Sequence, residues 1–471
     1  MVFSSSVFLF AFLPLTLLVY FLIPAGFVMA RNTALLIASL IFYGWGEPKY
    51  IIVMLVSIIA NYVLALLIDK YNTAGKRSMA KAMLVVDVAV NLGLLGFFKY
   101  TDFLIDTVNG ITGADFDLLE IALPIGISFY TFQAMSYVID VYRGKVEGQK
   151  NFIVLAAYIT LFPQLIAGPI VRYSDVEKQM KKRTSDKERI SVGIRRFIIG
   201  LSKKILIANQ MAVIWDEIYA MVAQGDDPGA ALCWIGAVAF TFQIYFDFSG
   251  YSDMAIGLGR MFGFRFNENF NHPYISKSIT EFWRRWHISL STWFREYLYF
   301  PLGGNRVSVA RHIFNLFIVW ALTGLWHGAN WTFVFWGLYY CVLLILEKYV
   351  YGKAIDKAPA LIGHIYTMLA VGIGWVFFMS DTIGDALVYL KTCFFAGGYP
   401  ILNTNTIFFL RTSLVLMVIA IICSTELPSK AVKRLREKIP AAWLFVITAT
   451  LILSTAYLLY SSYNPFLYFR F

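Results

Sequence analysis

Twelve apolar runs, near residues 2–23, 33–45, 50–68, 82–98, 121–141, 152–171, 205–222, 232–258, 312–346, 361–379, 405–424 and 441–460, follow one another along the chain. No polar stretch between them is long enough for an extended soluble domain. Such a chain folds with lipid as its solvent, where every backbone polar group must be satisfied internally. The expected class is an all-α polytopic protein of the cell membrane, a single integral membrane domain over residues 1–471. Composition agrees, because 59% of the residues are hydrophobic and only 15% are charged, against about 25% in a soluble protein.

The remaining charge is basic, +11 overall. Its cations sit in short segments between apolar runs, at Lys70 to Lys81, Arg143 to Lys150, Arg172 to Lys204, Lys348 to Lys357 and Lys430 to Lys438. That placement argues against nucleic acid and for cytoplasmic anchoring at the lipid surface. Cys233, Cys341, Cys393 and Cys423 lie far apart in apolar surroundings, with neither metal spacing nor a disulfide framework. The run from Val2 to Ile23 lacks a basic leader and an A-x-A exit, and is expected to be a retained span.

Two runs do not fit a simple crossing count. The uncharged stretch from His312 to Leu346 is 35 residues, whereas two crossings need roughly 40. Gly324-Leu325-Trp326-His327-Gly328-Ala329-Asn330 supplies a break between two arms, and basic flanks on the same side suggest a re-entrant hairpin. A titratable imidazole at membrane depth is expensive and usually functional, and glycine-interrupted short segments point to a site near the midplane. His327 is therefore the expected chemical centre. The run 152–171 also has basic flanks on both sides, and Phe162-Pro163-Gln164-Leu165-Ile166-Ala167-Gly168-Pro169 favours a broken element buried in protein.

Residues 172–204 carry eleven Lys or Arg against four Asp or Glu and read as an interfacial helix on the cytoplasmic face. Residues 263–306 are too polar to span yet dense in aromatics, which suits the membrane interface. Within them Trp283-Arg284-Arg285-Trp286-His287, read as a continuous helix, puts both tryptophans and His287 on one face. Arg284 and Arg285 then point elsewhere, toward anions or lipid phosphate.

These residues carry a resemblance. Asp247 to Gly257, Asn267-Glu268-Asn269-Phe270-Asn271-His272-Pro273-Tyr274, Trp283 to Ser291, Tyr299 to Arg306, Leu325-Trp326-His327-Gly328 and Leu123 to Gln133 are similar to motifs of the membrane-bound O-acyltransferase family, in its bacterial alginate and peptidoglycan O-acetyltransferase branch. The resemblance implies a ring of helices around a central funnel with re-entrant elements. It also implies transfer of an acetyl group from cytoplasmic acetyl-coenzyme A toward an extracellular or cell-wall polysaccharide, with no permanently bound cofactor or metal. It places the family's characteristic histidine on His327 and the second functional histidine on His287. A neutral buried imidazole is suited to act as the base for the attacking hydroxyl.

Around that pair, Trp326, Asn330 and Trp286 are candidates for contact with the thioester or acceptor, and Arg284, Arg285, Lys203 and Lys204 for the coenzyme A phosphates. The last span should deliver residues 461–471 outside. There Phe466-Leu467-Tyr468-Phe469 resembles the ending of an accessory peptide of the D-alanylation system, which makes Tyr468 a candidate acyl carrier. The implied partner is an extracytoplasmic SGNH-type, esterase-like transferase. Competing readings are D-alanyl transfer to teichoic acid, a non-enzymatic transporter, and a scaffold that docks a secreted transferase.

Overall fold

The computed structural model describes residues 1–225, 229–394, 400–461 and 463–464. Helices dominate, and no strand occurs among the described residues. Nine of these helices are long and apolar enough to cross a bilayer, and the chain is a multi-pass membrane protein. Helix starts follow the sequence: Asn151, Ser278, Asn330, Thr382 and Asn403 each accept a hydrogen bond from a first-turn backbone N–H, which satisfies donors that lipid would leave bare.

Packing resolves two compact units, residues 1–197 with 252–267, and residues 198–251 with 268–471. In the first, Ile127–Tyr142 is buried along almost its whole length and packs with Ile51–Thr73 and Arg77–Thr112. The broken element expected at 152–171 is present. Helix Phe152–Thr160 stops at Leu161, a short turn Phe162–Leu165 follows, and residues 154–171 are buried throughout. Its interrupted backbone is tied down by side chains: Ser39 Oγ accepts from Phe162 N at 3.0 Å, Gln164 Nε2 donates to Tyr158 O at 2.6 Å, and Tyr158 Oη donates to Val171 O at 2.9 Å. Buried Arg183 in the same unit is held by Tyr20 Oη at 3.0 Å and Asn32 Oδ1 at 2.6 Å.

The single interfacial helix expected over 172–204 is not what forms. Tyr173–Lys181 is a separate helix, but Lys187 begins a continuous helical stretch to Ala223, 37 residues long and apolar enough to span. Its basic face is accommodated by pairing, as where Arg196 reaches Asp253 at 2.9 Å.

In the second unit the two arms expected around His327 are Val309–His327 and Trp331–Leu346, packed as a hairpin. Counting only uncharged residues underestimates them. The first helix starts before His312, and the second continues without interruption to Lys357, giving 19 and 27 residues, each of crossing length. The arms touch backbone to backbone because of two glycines. A Cβ on Gly324 would strike the Phe333 carbonyl oxygen, and one on Gly337 would strike that of Trp320, the small-residue contact typical of helices in lipid.

Candidate active site

The hairpin tip presents His327 as the last residue of the first arm. Gly328 is extended, and Asn330 restarts the helix by accepting from Thr332 N at 3.0 Å while donating to Asp381 O at 3.0 Å. Asn330, a candidate donor to the thioester, is thus engaged in capping the second arm and tying the tip to Asp381. The His327 ring is 8% exposed and edge-on to Trp326, Trp336 and Phe378, with centroids 5.0, 5.1 and 5.2 Å away.

His287 reaches the same site by a different route. Helix Ile279–Arg285 ends before Trp286, which is extended, and His287 takes φ 43° and ψ 54° before helix Ile288–Phe294 begins. The single helical face expected for 283, 286 and 287 is therefore broken. A non-glycine residue in the left-handed region costs on the order of 1–3 kcal/mol and persists where its surroundings enforce it. Enforcement comes from residues 269–272: Asn271 N donates to Arg285 O and Ile288 N to Asn269 O, both at 2.9 Å, while His272, at φ 46°, is itself left-handed. The turn separates the rings. Trp286 packs among Phe282, Trp375 and Phe270, whereas His287 lies 4.6 Å from Phe248 and 6.0 Å from Trp326, centroid to centroid. Trp326 is the ring that both histidines share.

Asn269 decides the protonation of His287. Its Oδ1 accepts from the backbone N–H of Ser289 at 3.2 Å and from Ser289 Oγ at 2.9 Å, so it is an acceptor, and His287 Nδ1 at 3.2 Å must donate to it. In the neutral ring the lone pair then resides on Nε2. That atom is buried and makes no hydrogen bond among the described residues. Burial, reinforced by nearby His327, holds the imidazole well below its usual range, so it is neutral at physiological pH.

The cations singled out by sequence divide. Lys204 and Asp247 form an ion pair at 2.5 Å with both side chains 3% exposed. Arg285 is held by Glu281 at 2.9 Å and by Asn271 O at 3.1 Å. Lys203 is half-buried beside Lys204 on the π-helical turn Lys203–Ala208. Arg284 is exposed and opens on a polar cavity with Lys348 and His312. Tyr468 lies outside the described residues; the root of its tail is tied to helix Asn209–Ala223, with Tyr463 Oη donating to the Asp216 carboxylate and Asn209 Nδ2 to Asn464 Oδ1 at 3.2 Å.

Sequence reasoning quoted Asn269 within a motif without giving it a role, and did not identify Phe248, Trp336 or Phe378 as site walls. Among the described residues no group of three His, Cys, Asp or Glu side chains could hold a metal ion. What the arrangement offers is two buried imidazoles among aromatic rings, one fixed in a single tautomer.

The model of the membrane-bound O-acyltransferase family matches residues 147–381. A probable alginate O-acetylase of Pseudomonas putida is 41% identical over the whole of both chains. A peptidoglycan O-acetyltransferase of Helicobacter pylori is 34% identical, covering 100% of this chain and 98% of the relative. A teichoic acid D-alanyltransferase of Bacillus subtilis is 31% identical over 47% of this chain and 58% of its own.

Proposed function

Because the chain belongs to the membrane-bound O-acyltransferase family, we propose that it takes an acetyl group from acetyl-coenzyme A on the cytoplasmic side and delivers it for O-acetylation of an extracellular or cell-wall polysaccharide. Full-length similarity to an alginate acetylase and to a peptidoglycan acetyltransferase supports acetyl transfer to a polymer. Similarity to a D-alanyltransferase covers only half of the chain, which favours the acetyl reading over the D-alanyl one.

The observation that carries the mechanism is the histidine pair on Trp326, with the Nε2 lone pair of His287 turned away from its Asn269 anchor. An acceptor hydroxyl attacks the thioester carbonyl carbon while its proton passes to His327. The new C–O bond forms, the C–S bond breaks, and the coenzyme A thiolate leaves with the proton that His327 returns. His287 is close enough for the two rings to resist double protonation. Its neutral ring with an open lone pair therefore stabilises the imidazolium that forms at His327, a role a protonated or flipped ring could not fill. General-base assistance of this kind contributes about 10²–10⁴-fold.

The acyl acceptor at the outer side is assigned to a serine esterase-like, SGNH-type partner, with Tyr468 as the relay. A Tyr468→Phe protein that acetylates polymer fully would remove the relay. The main test is label transfer from radioactive acetyl-coenzyme A by purified protein. Transfer by the wild type and its loss in a folded His327→Ala variant are expected. Equal label transfer by both proteins would refute the role of His327, and a transporter or docking scaffold would transfer no label with either.

A further inference from the structure

The four cysteines lie far apart in the sequence, yet packing within the second unit brings two of them together. Cys233 stands in the first turn of helix Ala230–Met261, and Cys393 ends helix Ile383–Cys393. Three contacts hold the two helices in register there. Tyr389 Oη donates to Cys233 O at 2.8 Å, and Trp234 Nε1 donates to Cys393 O at 3.0 Å. Gly236 makes the third, because a Cβ on it would strike Tyr389 Oη. Tyr389 precedes Cys393 by four residues and Gly236 follows Cys233 by three, so each pair shares a helix face. Both cysteines are fully buried, and their thiols interact directly with each other.

Flanking charge places the pair at the outer face by two independent routes. The helical stretch Lys187–Ala223 starts in the basic cytoplasmic segment and ends shortly before the helix of Cys233. Ala360–Met379 leaves the basic segment Lys348 to Lys357 and ends shortly before the helix of Cys393, after which Thr404–Cys423 returns to the basic segment Lys430 to Lys438. Basic segments stay in the cytoplasm, so the ends that carry Cys233 and Cys393 are extracytoplasmic. That side of the membrane is oxidising, whereas the cytosol keeps thiols reduced. Cys423, by the same count, ends its helix on the cytoplasmic side, and Cys341 lies within Trp331–Leu346.

We infer that Cys233 and Cys393 are a modification site, oxidised to a disulfide at the extracytoplasmic face. Each sulfur gives up its hydrogen as a proton and the S–S bond forms. The two electrons pass to the disulfide of an extracytoplasmic thiol oxidase, which is reduced to a dithiol. Exchange takes place as the two helices come together, since attack needs an accessible thiolate. Once they have packed, burial screens the bond from reductants. The bond ties Ile383–Cys393 to the outer end of Ala230–Met261, the helix that further along carries Phe248 against His287. The stretch of chain it closes contains both His287 and His327, and closing so long a loop restrains the unfolded chain.

Counting free thiols in the full-length protein tests this. Cells are quenched in acid, and the protein is unfolded in dodecyl sulfate and labelled with a maleimide-linked polyethylene glycol, which adds one mass step per thiol. Of the four cysteines, two should be labelled without reductant and all four after reduction. Cys233→Ser and Cys393→Ser should each show three labelled thiols without reductant, because the remaining member of the pair has lost its partner. Four labelled thiols in the unreduced wild type overturn the proposal. A single labelled thiol in either variant overturns it as well, since the bond would then lie elsewhere. Should a variant fail to accumulate, mass spectrometry of the digested, unreduced wild type decides the same question: a peptide joining Cys233 to Cys393 is expected, and the two cysteines recovered on separate peptides refute the bond.

Discussion

Two apolar runs of this chain are interrupted, and the two interruptions are built differently. At Leu161 in the first unit the break is closed by Ser39, Gln164 and Tyr158, which hydrogen-bond to backbone atoms around it. At Gly328 to Asn330 in the second unit the joint is also capped, but it sets a histidine among aromatic rings, beside a second imidazole with an open nitrogen. The first break ties its backbone down with side chains, although Gln164 Oε1 stays buried without a partner among the described residues, as His287 Nε2 does beside the second. What sets the second apart is that its open nitrogen belongs to an imidazole, a group able to move protons, and that is where chemistry is to be sought.

The largest effect expected from this contrast is on turnover. His287→Asn keeps a residue tolerant of the left-handed turn and removes the imidazole lone pair, so acetyl transfer should fall by about 10²–10⁴-fold while circular dichroism stays native. Wild-type turnover from this variant would erase the distinction between the two breaks. Next comes the hairpin itself. Gly324→Val pushes a side chain into the facing backbone, and an overpacked contact costs about 1–3 kcal/mol, which thermal unfolding in detergent should register as a lower midpoint.

A pH experiment sharpens the comparison further. His287 is held low, so the acid limb that it sets should lie below pH 6.5, the ordinary imidazole value. Asn269→Asp sets a carboxylate against Nδ1, favours the protonated ring and raises its pKa by about one unit or more. The acid limb of the rate profile should then move to higher pH by that amount; an unmoved limb would remove Asn269 as the group that positions His287. The smallest effect belongs to the scaffold break. Tyr158→Phe deletes one bond to Val171 O, worth about 1 kcal/mol, and should shift the unfolding midpoint slightly without changing the acid limb.

Much of this was legible in the sequence because the signals are local. Hydropathy marked the spans, and Gly328 marked the joint after His327. What stayed hidden depends on partners far along the chain. A helical wheel placed Trp286 and His287 together because it assumed a helix through both, whereas pairing with residues 269–271 breaks that helix. Lys204 read as a free cation until Asp247, on another helix, was found against it. Charge patterns locate the arginines and lysines of a membrane protein well, but only coordinates show which already have a carboxylate.

Glu347 links the two ends of this design. Its carboxylate sits at the foot of the hairpin and grips the first residues of the short helix that leads to His287. One buried carboxylate thus anchors the start of the short helix on which the left-handed turn depends, and shortening it, as in Glu347→Asp, should loosen that start and be seen as a lower unfolding midpoint.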